Sequence, residues 1–544
     1  MQTLQQRLAK NTYSDTLFFM SFAKVWSAET HLLAPHLISV ETDIAPGLHS
    51  FSVVGLPDKA VEESRDRVSA AIKNSGFKSP KQKNQKVTVS LAPADLKKEG
   101  PAFDLPMALA YLKAVGAIRF ETEKRLFLGE LSLDGALRSV AGVLPLVEEA
   151  RRRGFTEVFV PQENAREAAL VRGITVFAAQ TLSAVIAHLI PKDLPGDGED
   201  APFVKKRAIK PTPETPIPDE PPEAQIDFSD IKGQETAKRG LEIAAAGGHN
   251  ILLWGPPGTG KTMLAKAFAG ILPPLSFQEM LEVTGIHSVA GKIRDTLIAH
   301  PPVRSPHHTA SYVSITGGGA IPKPGEATLA HRGVLFLDEF PEFDRRVIDT
   351  LREPLEERMI SVSRARGSAH FPAHFILIAA MNPCPCGNKG VKGKSCVCAP
   401  NAAERYRRKI SGPVIDRIDL AIEVSAVEHG KLSEEARDGS LSREVRARVL
   451  AARARPAERF GKAKLSVKTN GNNPAKHIAK LIPLDEKTKG MLNSNARRLD
   501  LSARSYHRVM KLARTIADLA ERERVSEDDI LEALRYRPKQ VLNQ

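Results

Sequence analysis

The stretch Ile251-Leu-Leu-Trp-Gly-Pro-Pro-Gly-Thr-Gly-Lys-Thr262 is a short apolar run followed by a glycine-rich turn, and it leads directly into Met263-Leu-Ala-Lys-Ala-Phe-Ala-Gly-Ile-Leu272. The first four residues read as a buried strand. In the last segment Met263, Leu264, Ala267, Phe268 and Ile271 recur at helical spacing. Between strand and helix, the run Gly255, Pro256, Pro257, Gly258, Thr259, Gly260, Lys261, Thr262 matches G-x-x-x-x-G-K-[ST] in the context that makes the pattern a P-loop. The glycines let backbone N–H groups turn inward around phosphate oxygens, and the helix behind adds the positive end of its dipole. Lys261 is placed to reach terminal phosphates and Thr262 to ligate magnesium. The expected ligand is therefore a nucleoside triphosphate with Mg2+.

Two more apolar strands follow in the order such a site needs. Gly333-Val-Leu-Phe-Leu-Asp-Glu-Phe340 puts Asp338 and Glu339 at a strand's C-terminal end, where α/β sheets gather their ligands. Asp338 is expected to hold magnesium and Glu339 to polarise the attacking water. Phe375-Ile-Leu-Ile-Ala-Ala-Met381 ends at Asn382, a polar residue suited to orient water or meet the terminal phosphate. Phe228-Ser-Asp-Ile-Lys-Gly-Gln234 ahead of the P-loop resembles the opening of AAA+ ATPase domains, and Asn382 matches their sensor-1 position. In Ser411-Gly-Pro-Val-Ile-Asp-Arg-Ile-Asp419, Arg417 stands where related motors carry an arginine finger for the neighbouring subunit's ATP. The plainer reading is an ion pair with Asp416 or Asp419. Arg504, in Leu501-Ser-Ala-Arg-Ser-Tyr-His-Arg508, resembles a sensor-2 residue reaching back to its own chain's nucleotide, with Arg508 as competitor.

The insertions around this core are long. Ser276 to Arg332 carries Gly317-Gly-Gly319 and Pro322-Lys-Pro-Gly325, and Ile360 to Phe371 reads as a β-hairpin with Arg364 and Arg366 near its tip. Both resemble insertions of the clade that holds the magnesium-chelatase ATPase subunit and the MCM helicases. That resemblance implies hairpins facing a ring's pore, where Arg364 and Arg366 would grip a DNA backbone; the alternative is a solvated hairpin.

All four cysteines fall within fifteen residues, as C-x-C-x9-C-x-C: Cys384, Cys386, Cys396 and Cys398. Four thiolates suit a tetrahedral structural Zn2+, although the C-x-C spacing is tighter than that of the common fingers. Free or redox-sensitive thiols are the other reading.

The 544 residues carry a net charge of +14, and from Lys431 onward 26 Lys+Arg face 15 Asp+Glu. A basic C-terminal portion suits a polyanion such as nucleic acid, and equally a basic surface with no partner. No run of 18 apolar residues exists, so no membrane span is expected, and a cytoplasmic location is.

Upstream, 20–190 reads as one α/β unit. Asp58 caps a helix to Asn74 that Gly76 ends, Val87–Leu91 is a strand, Pro106–Ala114 and Val143–Arg153 are helices, and Glu157–Val160 is a strand stopped by Pro161. Residues 1–19 read as an extension before a start at Met20. Nine prolines between Pro191 and Pro222 predict an extended tether over 191–225 with no packed structure. Lys98-Glu-Gly-Pro-Ala-Phe-Asp-Leu-Pro106, Gly129–Gly135 and Val158–Asn164 resemble the Lon-type protease domain, which shares the S5 fold. Lon proteases use a serine and a lysine. Here Ala102 stands at the nucleophile's place and Pro145-Leu146 near the base's, so the resemblance implies a domain without that proteolytic chemistry.

Taken together, the chain is similar to the YifB/ComM family. The class expected is α/β: a Lon-like/S5-like α+β domain (20–190), a P-loop AAA+ parallel sheet with helices on both faces (226–425), and a small C-terminal helical lid domain (426–544). The resemblance implies a homo-oligomeric, hexameric ring that hydrolyses ATP and acts on single-stranded or branched DNA, in branch migration during natural transformation. A remodelling ATPase of the chelatase or MoxR type, working on a protein partner, is the alternative.

Overall fold

The computed structural model describes residues 21–31, 33–190, 208–216, 226–292, 297–319, 323–364, 367–389, 391, 394–427 and 441–537. The proposed extension 1–19 lies outside them. The chain divides into two compact units, Met1–Pro216 with His287–Leu297, and Ile217–Ile286 with Ile298–Gln544.

The first unit is a mixed seven-stranded sheet with helices. Its elements are β1 (Phe22–His31), β2 (Ala34–Pro46), β3 (Ser50–Val54), α1 (Lys59–Asn74), β4 (Gln85–Ala92), α2 (Asp104–Ala114), β5 (Arg125–Phe127), the short pair β6 (Glu130–Leu131) and β7 (Leu137–Arg138), α3 (Val143–Arg152), β8 (Glu157–Pro161), α4 (Ala165–Ala168), β9 (Thr175–Ala179) and α5 (Leu182–Leu189). The sheet order is β3-β4-β2-β1-β5-β8-β9. Asp58 caps α1 as expected, its carboxylate accepting from the Val61 N–H at 2.8 Å. β4 alternates buried and outward residues, so Val87, Val89 and Leu91 join Leu105, Leu109 and Phe127 in the core. Ser132 gives its hydroxyl to Asp134 Oδ1 at 2.6 Å within the turn between β6 and β7.

Residues 208–216 correct the reading of 191–225 as an unpacked tether. Pro211 bridges Phe177 of β9, the last strand of the sheet, and the Thr212 N–H donates to the Val176 carbonyl at 2.8 Å. Thr215 bonds the Ala169 carbonyl through its N–H and the Arg166 carbonyl through its hydroxyl. Proline removes a donor only at its own position. The threonines between the prolines keep theirs: Thr212 pairs with the otherwise open edge strand β9, and Thr215 ties the segment to α4.

The second unit holds an all-parallel five-stranded sheet. In chain order it comprises α6 (Glu235–Gly247), β10 (Ile251–Trp254), α7 (Lys261–Ile271), α8 (Phe277–Val289), β11 (Val303–Arg304), α9 (Tyr312–Thr316), the hairpin β12 (Gly317–Gly318) and β13 (Lys323–Pro324), α10 (Glu326–Leu329), β14 (Val334–Leu337), α11 (Arg345–Thr350), α12 (Arg352–Glu357), the hairpin β15 (Met359–Arg364) and β16 (Gly367–Pro372), β17 (Ile376–Met381), α13 (Pro400–Arg408), α14 (Gly412–Ile415) and β18 (Leu420–Glu423). Helices α15 (Leu441–Lys462), α16 (Ala475–Leu481), α17 (Glu486–Arg498), α18 (Ala503–Leu519) and α19 (Glu527–Arg535) complete it. The sheet order is β11-β14-β17-β10-β18. Its central strands are apolar throughout because helices cover both faces.

Leu253, Phe268, Phe336 and Ile378 form one core with Val449 of α15 and Leu512 and Ile516 of α18. The C-terminal helices are thus part of the sheet's packing, with each fully buried Leu, Ile or Phe contributing about 1.5–3 kcal/mol. Among the described residues no helix is long and apolar enough to cross a membrane.

Candidate functional site

Three adjacent strands, β14, β17 and β10, end at the same edge and bring the three expected motifs together. Lys261 opens α7, and its Nζ donates to the Gly255 and Pro256 carbonyls at 2.8 and 2.7 Å and to Asn382 Oδ1 at 3.1 Å. Burial lowers its pKa, opposed by the charges of Asp338 and Glu339. The Thr262 hydroxyl donates to Asp338 Oδ2 at 2.7 Å, and the Glu339 N–H donates to Asp338 Oδ1 at 2.9 Å. Gly258 and Gly260 have φ of 78° and 92°, which side-chain-bearing residues rarely adopt. Gly255 is required for a different reason: a Cβ there would lie 2.2 Å from the Val424 carbonyl oxygen. Thr259 closes the turn on the Pro256 carbonyl, and Pro257 lies on the outer side of the loop, under Gly387.

Sequence reasoning missed two residues at this edge. His308 Nδ1 lies 3.3 Å from Glu339 Oε2. Glu339 itself has a left-handed backbone, φ 51°, a strained state for a non-glycine residue that fits a functional position. The signal was the His307-His308 pair, which follows β11 after Ser305 and Pro306, but only the pairing of β11 with β14 brings it to Glu339. Removing His308 should leave the affinity for ATP unchanged and lower kcat about tenfold or more, because the carboxylate loses its orientation. Steady-state ATPase rates of His308→Ala and His308→Gln check this; an unchanged kcat in the alanine variant would reject it. The second residue is Tyr406, buried, whose hydroxyl is hydrogen-bonded by the Asn382 backbone.

The arginines stand elsewhere. Asn250 immediately precedes β10, and its Nδ2 donates to the Arg417 carbonyl. Arg417 is therefore at the N-terminal end of the sheet, a strand length of about 13 Å from the P-loop. Its guanidinium bonds Glu356 and, at 2.7 Å, the Pro413 carbonyl, so neither Asp416 nor Asp419 is its partner. Arg504 Nη2 lies 3.2 Å from the same Glu356, while Arg508 pairs with Asp419 at 3.4 Å. This corrects the expectation that Arg504 reaches its own chain's nucleotide. Helix α18 packs on α6 and α15, and Thr515 is hydrogen-bonded to His249 beside Asn250; this packing fixes Arg504 at the opposite end of the strands from Lys261. Arg508 is at that end too.

The expected hairpin is present as β15–β16, with Arg364 opposite Gly367; Arg366 lies outside the described residues. The four cysteines gather with their sulfurs within 4.8 Å of one another. The Cys384–Cys386, Cys384–Cys396 and Cys386–Cys396 sulfur separations are 3.4, 3.7 and 3.6 Å. A tetrahedron with Zn–S of 2.3 Å has edges of about 3.8 Å, so the donor set fits zinc. The N–H groups of Cys386 and Lys389 point at Cys398 and Cys384 sulfurs, the outer support that thiolate ligands need. The cluster adjoins the nucleotide site: Cys384 is two residues past Asn382, and a Cβ on Gly387 would lie 2.5 Å from Pro257 Cδ.

Family models for magnesium chelatase match most of the chain: "Magnesium chelatase, subunit ChlI" over 227–432, "Subunit ChlI of Mg-chelatase" over 40–164, and "Magnesium chelatase, subunit ChlI C-terminal" over 439–537. The uncharacterized protein YifB of Salmonella typhimurium is 43% identical over 92% of this chain and 94% of its own length. Competence protein ComM of Haemophilus influenzae is 41% identical over 95% of this chain and 98% of its own. Lon protease 2 of Bacillus subtilis is 30% identical over 146 residues, 25% of this chain and 26% of its own. With full-length relatives at this identity and the ATPase motifs on one sheet edge, the chain belongs to the YifB/ComM family, as a ComM-type, magnesium-chelatase-like AAA+ ATPase whose family implies ATP and Mg2+.

Proposed function

We propose that this chain forms a homo-oligomeric, hexameric ring that couples ATP hydrolysis to translocation on DNA, in the manner of a branch-migration helicase. The single observation that carries the ring is the separation of parts. Lys261, Thr262, Asp338, Glu339 and Asn382 sit at one edge of the sheet, and Arg417 and Arg504 sit together at the other. A head-to-tail contact between copies brings one chain's arginines to the next chain's P-loop, and such contacts close into rings.

In this reading Lys261 and the loop N–H groups hold the phosphates, and Thr262 and Asp338 hold magnesium, which neutralises charge on the phosphates when bound. Glu339 takes the proton of the attacking water and Asn382 orients that water. The neighbour's Arg417, with Arg504 beside it, stabilises the charge that builds on the transferred phosphoryl group.

DNA as the substrate is supported by the name of the Haemophilus competence protein, by the basic C-terminal portion, and by Arg364 on the β15–β16 hairpin with Arg366 two positions on in the sequence. The test is ATP turnover with and without single-stranded and branched DNA. Turnover should rise with DNA, and binding should weaken steeply as salt increases. Turnover indifferent to DNA with no salt-sensitive binding would favour a protein substrate instead.

The cysteine cluster belongs to the same reading, as a structural Zn2+ held by Cys384, Cys386, Cys396 and Cys398. Protein purified under reducing conditions should contain about one zinc per chain. Cys384→Ser should lower the melting temperature by about 5 °C or more and weaken ATP binding, because the loop resting on Pro257 loses its anchor. Zinc-free wild-type protein with unchanged melting would reject the assignment.

A further inference from the structure

At the N-terminal end of the parallel sheet, between the strand starts and the C-terminal helices, the second unit forms a half-open cavity of about 800 Å³. Eight lysine and arginine side chains line it against three carboxylates, Glu279, Glu356 and Asp419. The carboxylates are already engaged. Glu356 holds Arg417 and Arg504, Asp419 holds Arg508, and Glu279 holds Lys468.

Three cations are left with neutral partners. Arg358 donates to Asn472 Oδ1 at 2.7 Å, Arg453 donates twice to the Ala245 carbonyl, and Lys511 donates to the Gly471 carbonyl at 3.1 Å. Burial lowers the pKa of each, that of Arg453 to about 10; Asp419 opposes this at Arg358 and Lys511 and Glu279 at Arg453, while Arg508 and Arg358 add their repulsion at Lys511. Asn473, which also lines the cavity, is 1% exposed and has a protein partner at neither end of its amide. Asp419 and Glu279 act on these three cations only from beyond hydrogen-bond reach, and a set of half-buried cations that outnumbers its carboxylates eight to three costs stability unless an anion is taken up.

We infer that this cavity is a second phosphoanion site, distinct from the P-loop, in which Arg358, Arg453 and Lys511 hold an oligophosphate. The cavity has room for more than one phosphoryl group and three cations to meet their charge, so a chain of phosphates fits it better than a single one does. Such a chain has two sources, a nucleotide's tail or a free oligophosphate. The inference rests on the fold and on charge, and it stands whether or not DNA is the substrate.

The experiment uses the full chain carrying Lys261→Ala, which disables the P-loop. Tripolyphosphate is titrated without magnesium, at ionic strength matched with chloride, while heat of binding and thermal unfolding are followed. One saturable event per chain with a rise in melting temperature is expected. Adding Lys511→Met or Arg358→Met should weaken that binding by about tenfold or more. Without ligand these variants should melt no lower than their parent, because a cation in excess of the cavity's carboxylates has gone; Lys511→Arg should retain binding. ATP binding more tightly than tripolyphosphate identifies the nucleotide as the source, and ATP binding no more tightly identifies the free anion. The inference is overturned if chloride reproduces the stabilisation, if Lys511→Met binds like its parent, if Lys511→Met melts lower without ligand, or if Lys511→Arg loses binding.

Discussion

Changing Glu339 to Gln should reduce kcat for ATP about 10²- to 10⁴-fold, the usual worth of a general base, while ATP and magnesium still bind. Glutamine keeps the volume and the hydrogen-bonding capacity of the side chain but has no carboxylate to take a proton from water. The groups expected to hold the nucleotide do not depend on it. Lys261 is held by carbonyls and by Asn382, and Thr262 bonds Asp338. The one backbone link between the two acids is the Glu339 N–H to Asp338 Oδ1, which the substitution leaves in place.

Because Glu339 already has a left-handed backbone that the neighbouring structure enforces, the variant should fold as the parent does. The check is a pair of measurements on one preparation: steady-state release of phosphate, and equilibrium binding of a fluorescent ATP analogue. Loss of turnover with retained binding is the expected outcome. Turnover at the parental rate would remove Glu339 from its role, and joint loss of binding would assign it to the nucleotide pocket instead.

What the sequence disclosed about this fold follows the range over which each signal acts. The helix from Lys59 to Asn74 was legible because its cap, its apolar spacing and its terminating glycine are all local. The strands β10, β14 and β17 were legible because a strand buried on both faces has to be apolar throughout, and each runs directly into what matters, the P-loop at Gly255, Asp338 and Asn382. Residues that meet only through long-range pairing were not visible. His308 is 31 positions from Glu339 in the chain and reaches it because β11 lies beside β14.

The place of Arg504 failed for a related reason. Its motif gives a residue type and a helix, but which end of the sheet that helix serves is decided by packing. α18 buries Val509, Leu512, Ala513 and Ile516 in the core shared with α6 and α15, beside the start of β10. Composition misled at 208–216, where proline density concealed the threonine donors that pair with β9 and α4. The cysteine cluster needed no such information, since four thiols within fifteen residues can converge by turns alone.

Changing Arg417 to Ala should lower kcat by about 10³-fold or more, as the loss of an arginine finger does. It should do so without weakening ATP binding to the chain that carries the change. The asymmetry follows from geometry: Arg417 is fixed through Asn250 and Pro413 at the sheet edge opposite Lys261, so it has no path to its own chain's phosphates. A folding defect is the competing explanation, and the surroundings argue against a large one. Glu356 keeps Arg504 as a partner, and the side chain lost lies at the cavity wall, outside the apolar core.

The decisive form of the experiment mixes two inactive proteins, Arg417→Ala and Lys261→Ala. Each supplies what the other lacks, an intact P-loop from the first and an intact arginine from the second. In a randomly mixed head-to-tail ring about one interface in four is then complete, and turnover should reappear in that proportion. Activity that returns on mixing places the catalytic site between chains. If the mixture stays inactive although the two proteins co-assemble, or if Arg417→Ala alone loses affinity for ATP, the arginine belongs to a single chain's pocket and the ring is not part of the chemistry.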